Sequence, residues 1–292
     1  MVEGQLPMFP EYDRERRSRL ETEAITLLRD NEPEDGYALA FSGGKDSCVI
    51  KHLADKAGVK YDAHYSVTTI DPPELIRFIK REHKDVKWVR PEVNMMHAVA
   101  NWPKTPPTRL ARWCCDKYKE AGTMGKGALV IGVRAAESAG RAATWEPVLT
   151  SHTGPKRLRG VYVCPILYWT DTDLWSYIHS EGIKYCELYD QGFKRLGCVG
   201  CPLAGPEGQT REFARWPRFE ANWRRAVEKN WENRKDCLNH RTGKPVYQAK
   251  FKTAEDFWKW WRWKQIVPND DNCQFQALWG VAEEPEGDGD GE

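Results

Sequence analysis

The chain has 292 residues, 40 % of them hydrophobic and 30 % charged, with a formal net charge of +1. These proportions belong to soluble globular proteins and exclude a fibrous or wholly disordered chain. No apolar run nears the roughly 18 residues of a bilayer span, and MVEGQLPMFPEYDRERR lacks the apolar core of a signal peptide, so a cytoplasmic protein without a membrane partner is expected.

Residues 11–29 place Leu20, Ala24, Leu27 and Leu28 at helical spacing, which predicts an amphipathic helix. Tyr37 to Phe41 reads as a buried strand, Ser42-Gly43-Gly44 as a turn, and Asp46 to Ala57 as a helix ended by Gly58. A second strand fits Tyr61 to Val67, and a helix follows from Asp71-Pro72-Pro73 to about His83. Val86 to Val89 and Ala128 to Val133 complete four strands alternating with helices, the pattern of a parallel sheet covered on both faces. Right-handed crossovers put the loops after such strands along one edge, where ligands bind. Beyond about residue 150 the pattern changes. Val161 to Leu167 is apolar, Thr170 to Ile178 reads as a capped helix, and Gly192 to Gly208 as a structured loop. Residues 211–231 and 254–266 read as mainly helical, with Pro217 breaking or kinking the first.

Ser42-Gly43-Gly44-Lys45-Asp46-Ser47 lies between a predicted strand and a predicted helix, the context of a phosphate cradle. Glycines let backbone amides approach an anion, and the helix start adds unpaired N–H donors. Lys45 can neutralise phosphate and Asp46 can help hold Mg²⁺. An ordinary capped turn is the competing reading, but the hexamer in this context favours the anion. The hexamer resembles the PP-loop of the ATP-pyrophosphatase superfamily. The resemblance implies a Rossmann-like sheet of the adenine nucleotide alpha hydrolase type that binds ATP and cleaves it between the α and β phosphates. Sulfonucleotide reductases of the same fold take adenylyl sulfate instead.

After the fourth strand comes Gly132-Val133-Arg134-Ala135-Ala136-Glu137-Ser138-Ala139-Gly140-Arg141-Ala142. Its arginines can fork onto phosphate or sulfate oxygens. The segment is similar to an element of the phosphoadenosine phosphosulfate reductase family. That similarity implies that Arg134 and Arg141 contact nucleotide phosphates or the attacking group, with Glu137 and Ser138 positioning them.

Of nine cysteines, four form two pairs: Cys114-Cys115, and Cys198-Val199-Gly200-Cys201 some eighty residues later. Two thiolate pairs brought together can hold zinc or a [4Fe–4S] cluster, and spacing alone does not choose. The pattern resembles that of assimilatory adenylyl-sulfate reductases, which implies one [4Fe–4S] cluster on Cys114, Cys115, Cys198 and Cys201. Pro165 to Trp175 and Leu188 to Cys198 match the same family. The reductases' C-terminal Glu-Cys-Gly-Leu-His-like motif is missing; Cys237 and Cys273 stand in other contexts. That departure resembles a related branch, the ATP pyrophosphatases of DNA phosphorothioation and some tRNA thiolation enzymes. Cys48, Cys164 and Cys186 are expected to be buried packing thiols.

The C-terminal part is rich in Trp and Arg. In Phe257-Trp258-Lys259-Trp260-Trp261-Arg262-Trp263-Lys264 the pairs Trp258/Trp261 and Trp260/Trp263 occupy different helix faces. Packing is favoured over nucleic-acid contact, although Arg211, Arg215, Arg218, Arg224 and Arg225 raise the latter. The expected division is an N-terminal helix over 1–35 and a PP-loop nucleotide-binding core over 36–150. A cysteine-containing, mainly helical part follows over 151–280, then an acidic disordered tail over 281–292.

The strand–helix pattern predicts an α/β protein, and the resemblance implies an enzyme that splits ATP, with Mg²⁺, to activate an acceptor for sulfur incorporation. Lys45, Asp46, Arg134 and Arg141 are the candidate catalytic residues, and Ser42 to Ser47 with Glu137 and Ser138 the nucleotide-binding set. Candidate partners are an adenine nucleotide, a sulfur donor such as a cysteine desulfurase, thioredoxin, and nucleic acid. The competing expectations are a sulfonucleotide reductase releasing sulfite and a non-enzymatic zinc-containing regulator.

Overall fold

The computed structural model describes residues 10–102, 105–120, 127–151, 160–238 and 250–263. The expected acidic tail and Cys273 lie outside these residues. Helix α1 (Pro10–Asp30) precedes β1 (Tyr37–Ala40), α2 (Lys45–Ala57), β2 (Tyr61–Ser66), α3 (Pro73–Glu82) and β3 (Lys87–Val89). Then come α4 (Met95–Asn101), the short α5 (Trp113–Cys115) running into a π-turn over Asp116–Glu120, β4 (Leu129–Val130) and α6 (Ala139–Thr144). Strands β5 (Val148–Ser151) and β6 (Gly160–Val163) and helix α7 (Asp171–Ser180) are followed by α8 (Gly205–Arg215), α9 (Pro217–Arg234) and α10 (Ala254–Trp263).

The strands form one sheet in the order β3-β2-β1-β4-β6-β5. Five are parallel, and β5 runs antiparallel to β6 at the edge. Strand order reverses direction between β1 and β4, the switch point where loops from adjacent strands diverge and leave a crevice. The loop after β1 is the Ser42–Ser47 hexamer, and the loop after β4 is the Ile131–Arg134 segment. Topology therefore brings both predicted anion-binding segments to one place. The apolar face of α2 drives this arrangement. Val49, Ile50, Leu53 and Ala54 are fully buried, and so is Leu39 of β1, one layer of core beneath the crevice.

The C-terminal helices pack on α4 and on one another. Pro217 takes the first position of α9, so the expected break falls at Trp216 and separates two helices. Trp223 of α9 stacks on Trp261 of α10 with centroids 4.6 Å apart. Trp258 and Trp261 are buried and Trp263 is exposed, while Trp260 is partly buried against Phe251 and Phe257, so only one member of the second pair faces outward. Cys48, Cys164 and Cys186 are buried, as expected of packing thiols.

Some sequence expectations need correction. The fourth strand shortens to Leu129–Val130, because only those residues find ladder partners on β1 and β6. The apolar run from Val161 is strand only to Val163; Cys164 to Leu167 then turns, with Leu167 N donating to Cys164 O at 3.1 Å. The loop from Gly192 ends in helix at Gly205. Helix α4 and edge strand β5 were not anticipated.

Helix α7 begins with a capping box between Thr170 and Asp173. Asp173 also receives Arg16 from α1, with Nε–Oδ1 at 2.6 Å and Nη2–Oδ2 at 2.8 Å. Against the cost of burying it, Arg16 and the Thr170 hydrogen bonds hold the Asp173 carboxyl down at about 2. A carboxyl lowered on folding stabilises the native state above its ordinary range and loses that contribution as pH falls toward 2. Unfolding in urea at pH 7 and at pH 2.5 is expected to show roughly 2 kcal/mol of acid-labile stability from this pair. Most of that difference should vanish in Arg16→Ala.

Candidate functional site

The phosphate loop leaves β1 and turns at Gly43, whose φ of 71° lies in the left-handed region. A Cβ there would sit 2.7 Å from Ile79 Cδ1 and 2.8 Å from Leu75 Cδ1, so this position requires glycine by conformation and by space. Gly44 is extended, with φ −75° and ψ 160°, and caps α2. Ser47 Oγ donates to Gly44 O at 2.9 Å, and Ser42 Oγ lies 3.3 Å from Ser47 Oγ, which braces the turn from both ends. Lys45 N, at the first helical position, donates to the phenol oxygen of Tyr189 at 2.9 Å. The loop lines a cavity of about 720 Å³ together with Arg134, Glu137, Arg141, Asp171, Tyr189, Lys194 and Arg195.

A charged network forms the base of this cavity. Arg134 is 2 % exposed. Its Nε donates to Asp46 Oδ1 at 2.6 Å, its Nη2 to Asp171 Oδ1 at 2.8 Å and its Nη1 to Trp169 O at 3.3 Å. Lys45 Nζ reaches Asp46 Oδ2 at 3.1 Å and Asp171 Oδ1 at 3.4 Å. Against partial desolvation, Lys45 and Arg134 hold the Asp171 carboxyl below its ordinary value. The guanidinium of Arg134 is thus committed to carboxylates and a carbonyl. This geometry makes Arg134 the anchor of Asp46, in the lining of the cavity that the phosphate loop borders.

Arg141 also lines the cavity, paired with Glu137, while Ser138 Oγ accepts from Arg141 N at 3.2 Å and caps α6. Desolvation first, then Arg195, Arg112 and Arg134, lower the affinity of Arg141 for its proton. Arg141, Lys194 and Arg195 all line this cavity and favour an anion there.

Cys114, Cys115, Cys198 and Cys201 line a second cavity, of about 280 Å³. The two cavities share Thr68, Lys119, Arg195, Leu196 and Gly197 as a common wall. Lys119 is held protonated above its usual range, chiefly by Cys198 and further by Cys201, Cys115 and Asp71, against desolvation. Burial pushes the Cys198 thiol up to about 11 and raises Cys201; Cys114 is raised first by its hydrogen bond to Cys115 and then by burial. Among the described residues no group of three or more Cys, His, Asp or Glu side chains is placed to hold a metal ion. The four thiols border a space instead, with an ammonium beside them. Thiols with a lysine beside them are donors of the kind that hold a thiolate-ligated metal group, since metal binding draws protons from thiols and an ammonium offsets the charge.

The Cys-x-x-Cys loop is held by its backbone. Val199 N donates to Ile70 O at 2.8 Å, Gly200 N to Glu212 Oε2 at 2.7 Å, Gln209 Nε2 to Gly200 O at 2.9 Å and Trp223 Nε1 to Val199 O at 2.9 Å. Next to Ile70, Thr69 has φ 67°, a costly conformation for a β-branched residue. Its Oγ1 accepts from Met95 N at 2.9 Å. Strain of this kind persists where surroundings over-determine it, as they do between the thiol cavity and α4.

Sequence reasoning assigned no role to Asp171, Tyr189, Lys119 or Arg195. Asp171 and Tyr189 fall inside the segments that matched the reductase family, and Lys119 stands four residues after Cys115. Position relative to those motifs was the available signal. Cys237 is exposed on the surface.

Gly43→Ala is expected to cost about 2 kcal/mol or more, from overpacking and left-handed strain, and to weaken adenine-nucleotide binding. Gly44→Ala, whose Cβ would meet Ser42 Oγ at 3.3 Å and Tyr189 Oη at 3.4 Å, should cost less than about 1 kcal/mol. Urea unfolding with nucleotide titration of both variants checks the contrast.

The model of the phosphoadenosine phosphosulfate reductase domain matches residues 36–204. An adenosine 5'-phosphosulfate reductase of Staphylococcus epidermidis is 28 % identical over 230 residues, covering 73 % of this chain and 84 % of that protein. A Methanocaldococcus jannaschii protein named as uncharacterized is 25 % identical over 279 residues; the match covers 88 % of this chain and 60 % of that longer relative. Among solved structures, the phosphoadenylyl-sulfate reductase of Candida auris gives a TM-score of 0.47 at 16 % identity, covering 68 % of this chain and 99 % of that one. The U34-tRNA thiolase of Methanococcus maripaludis, solved with its [4Fe–4S] cluster, gives 0.41 at 13 % identity, covering 74 % and 78 %. The family model spans more than half of the sequence, phosphate loop and both cysteine pairs included, and the chain belongs to the phosphoadenosine phosphosulfate reductase domain family.

Proposed function

We propose that this protein cleaves ATP to AMP and pyrophosphate and thereby activates an acceptor for sulfur incorporation, with a [4Fe–4S] cluster held by Cys114, Cys115, Cys198 and Cys201. The observation that carries this reading is the shared wall. A cavity built on a phosphate loop adjoins a cavity lined by four thiols, with Lys119 and Arg195 facing both.

In this reading an acceptor oxygen attacks the α-phosphorus of ATP. The bond to the β-phosphate breaks, and pyrophosphate departs with the electron pair. Lys45 and the first-turn amides of α2 stabilise the charge growing on the leaving group. Both oxygens of Asp46 are paired, one to Arg134 and one to Lys45. Mg²⁺ accompanying ATP would therefore take most of its ligands from phosphate oxygens and water, in keeping with its preference for retaining water. Arg141 and Arg195 draw the anionic reactants to the wall between the cavities. A sulfur nucleophile then replaces the adenylylated oxygen and AMP leaves. The cluster, when bound, would supply a redox-active iron–sulfur centre at that wall.

A second reading is a sulfonucleotide reductase that forms sulfite from adenylyl sulfate with thioredoxin as reductant. The relatives named adenosine 5'-phosphosulfate reductase favour it. It needs a cysteine nucleophile outside the cluster set, and Cys237 and Cys273 are the candidates.

Anaerobically purified protein is expected to contain about four irons and four sulfides per chain, falling sharply in Cys198→Ser. Stoichiometric zinc without iron would instead support the regulator reading. Pyrophosphate release from ATP with RNA or DNA acceptors should fall at least ~100-fold in Lys45→Ala, a loss typical of removing a charge stabiliser. Sulfite release from adenylyl sulfate, abolished by Cys237→Ser or Cys273→Ser, would replace the first reading with the second.

A further inference from the structure

The amide of Lys45 is one of the helix-start donors that a phosphate loop presents to its anion. Here it is engaged by a side chain 144 residues away, the phenol of Tyr189 at 2.9 Å. The same oxygen would lie 3.4 Å from a Cβ on Gly44, so the hydroxyl rests directly over the glycine turn. Tyr189 lines the nucleotide cavity beside Gly44, Lys45, Asp46 and Ser47.

The ring is fixed in that position. Trp175 meets it edge-on at 5.3 Å and 81°, and Tyr185 at 6.3 Å and 68°. Its backbone is tied into a turn: Tyr189 N donates to Cys186 O and Gly192 N to Tyr189 O, both at 3.1 Å. Swinging the phenol out of the cavity would break these ring contacts. Burial pushes the phenol up, so it carries its proton at neutral pH. A hydroxyl has one proton to give and two lone pairs. The Lys45 amide uses a lone pair and polarises the O–H bond, which makes the proton a better donor.

We propose that the Tyr189 hydroxyl is a phosphate-binding group of this site: it accepts from Lys45 N–H and donates its own proton to a phosphoryl oxygen of the bound adenine nucleotide. The inference rests on the nucleotide-binding reading above and holds for either ATP or adenylyl sulfate. It gives the loop a donor set in which one backbone amide acts through a phenol. It also ties the nucleotide to the segment that continues through Lys194 and Arg195 to Cys198, so the phosphoryl group and the thiol cavity share a covalently continuous wall.

The test is calorimetric titration of ATP, adenylyl sulfate and adenosine into wild-type protein and Tyr189→Phe, which keeps the ring and removes the hydroxyl. The expected result is roughly tenfold weaker binding of the phosphorylated ligands, the scale of one hydrogen bond to a charged group, with adenosine unchanged. Unchanged affinity overturns the proposal. Tighter binding also overturns it and identifies the hydroxyl as a competitor for the Lys45 amide. If Tyr189→Phe does not fold, 3-fluorotyrosine at position 189 replaces it. Its ¹⁹F resonance should then shift with ATP or adenylyl sulfate and not with adenosine; no shift with the phosphorylated ligands counts against the proposal. Wild-type protein that binds adenylyl sulfate and not ATP overturns the ATP-cleaving reading, while the same comparison on adenylyl sulfate still decides the role of Tyr189. Binding of neither overturns both.

Discussion

The guanidinium of Arg134, enclosed between Asp46, Asp171 and the Trp169 carbonyl, is the contact on which the rest of the site depends. It joins the start of α2, the loop after β4 and the start of α7. A buried charge is tolerable when opposite charges and hydrogen bonds surround it, and Arg134 has both. Removing it would leave Asp46 and Asp171 crowded together with Lys45 as their shared counter-ion. The network therefore sets the shape of the phosphate loop before any ligand arrives, and preorganisation of this kind spares a binding site the cost of ordering itself.

The helices of the C-terminal part have a corresponding task at the second cavity. Backbone groups of the Cys198–Cys201 loop are engaged by Glu212, Gln209 and Trp223 from α8 and α9 and by Ile70 from the loop after β2. The tryptophans that suggested nucleic-acid binding serve this purpose in part. Trp223 donates to Val199 and stacks on Trp261, whose own Nε1 donates to Pro107 O at 2.9 Å. One thiol pair is thus braced by the C-terminal helices, and the other lies in the short α5, which runs into the π-helical Asp116–Glu120 segment before β4. The sheet edge between them supplies Thr68 and the strained Thr69.

Much of this was legible before the structure. The phosphate loop was readable because conformational need and chemistry coincide there: two glycines, a lysine and a helix start in the order a phosphate requires. The strand-helix alternation was readable from buried runs such as Tyr37–Phe41, and the break at Pro217 from the geometry of proline. The cysteine pairs were readable as sets, yet their meeting at one cavity is a product of tertiary folding that spacing does not encode. The contacts of Arg134 and Tyr189 were hidden for a related reason. An arginine beside an expected phosphate site looks the same in sequence whether its fork meets an anion or a neighbouring carboxylate. A tyrosine 144 residues from the amide it engages leaves no local trace. Strand β5 escaped notice because a short edge strand, solvated along one side, has no need of a strong apolar pattern.

Lys119 and Arg195 belong to both chambers, and this has a thermodynamic corollary. Any charge brought into one chamber changes the field that the same two cations exert in the other. Equilibrium linkage is reciprocal. To whatever degree an occupant of the thiol chamber alters nucleotide affinity, the nucleotide alters the hold on that occupant by the same factor.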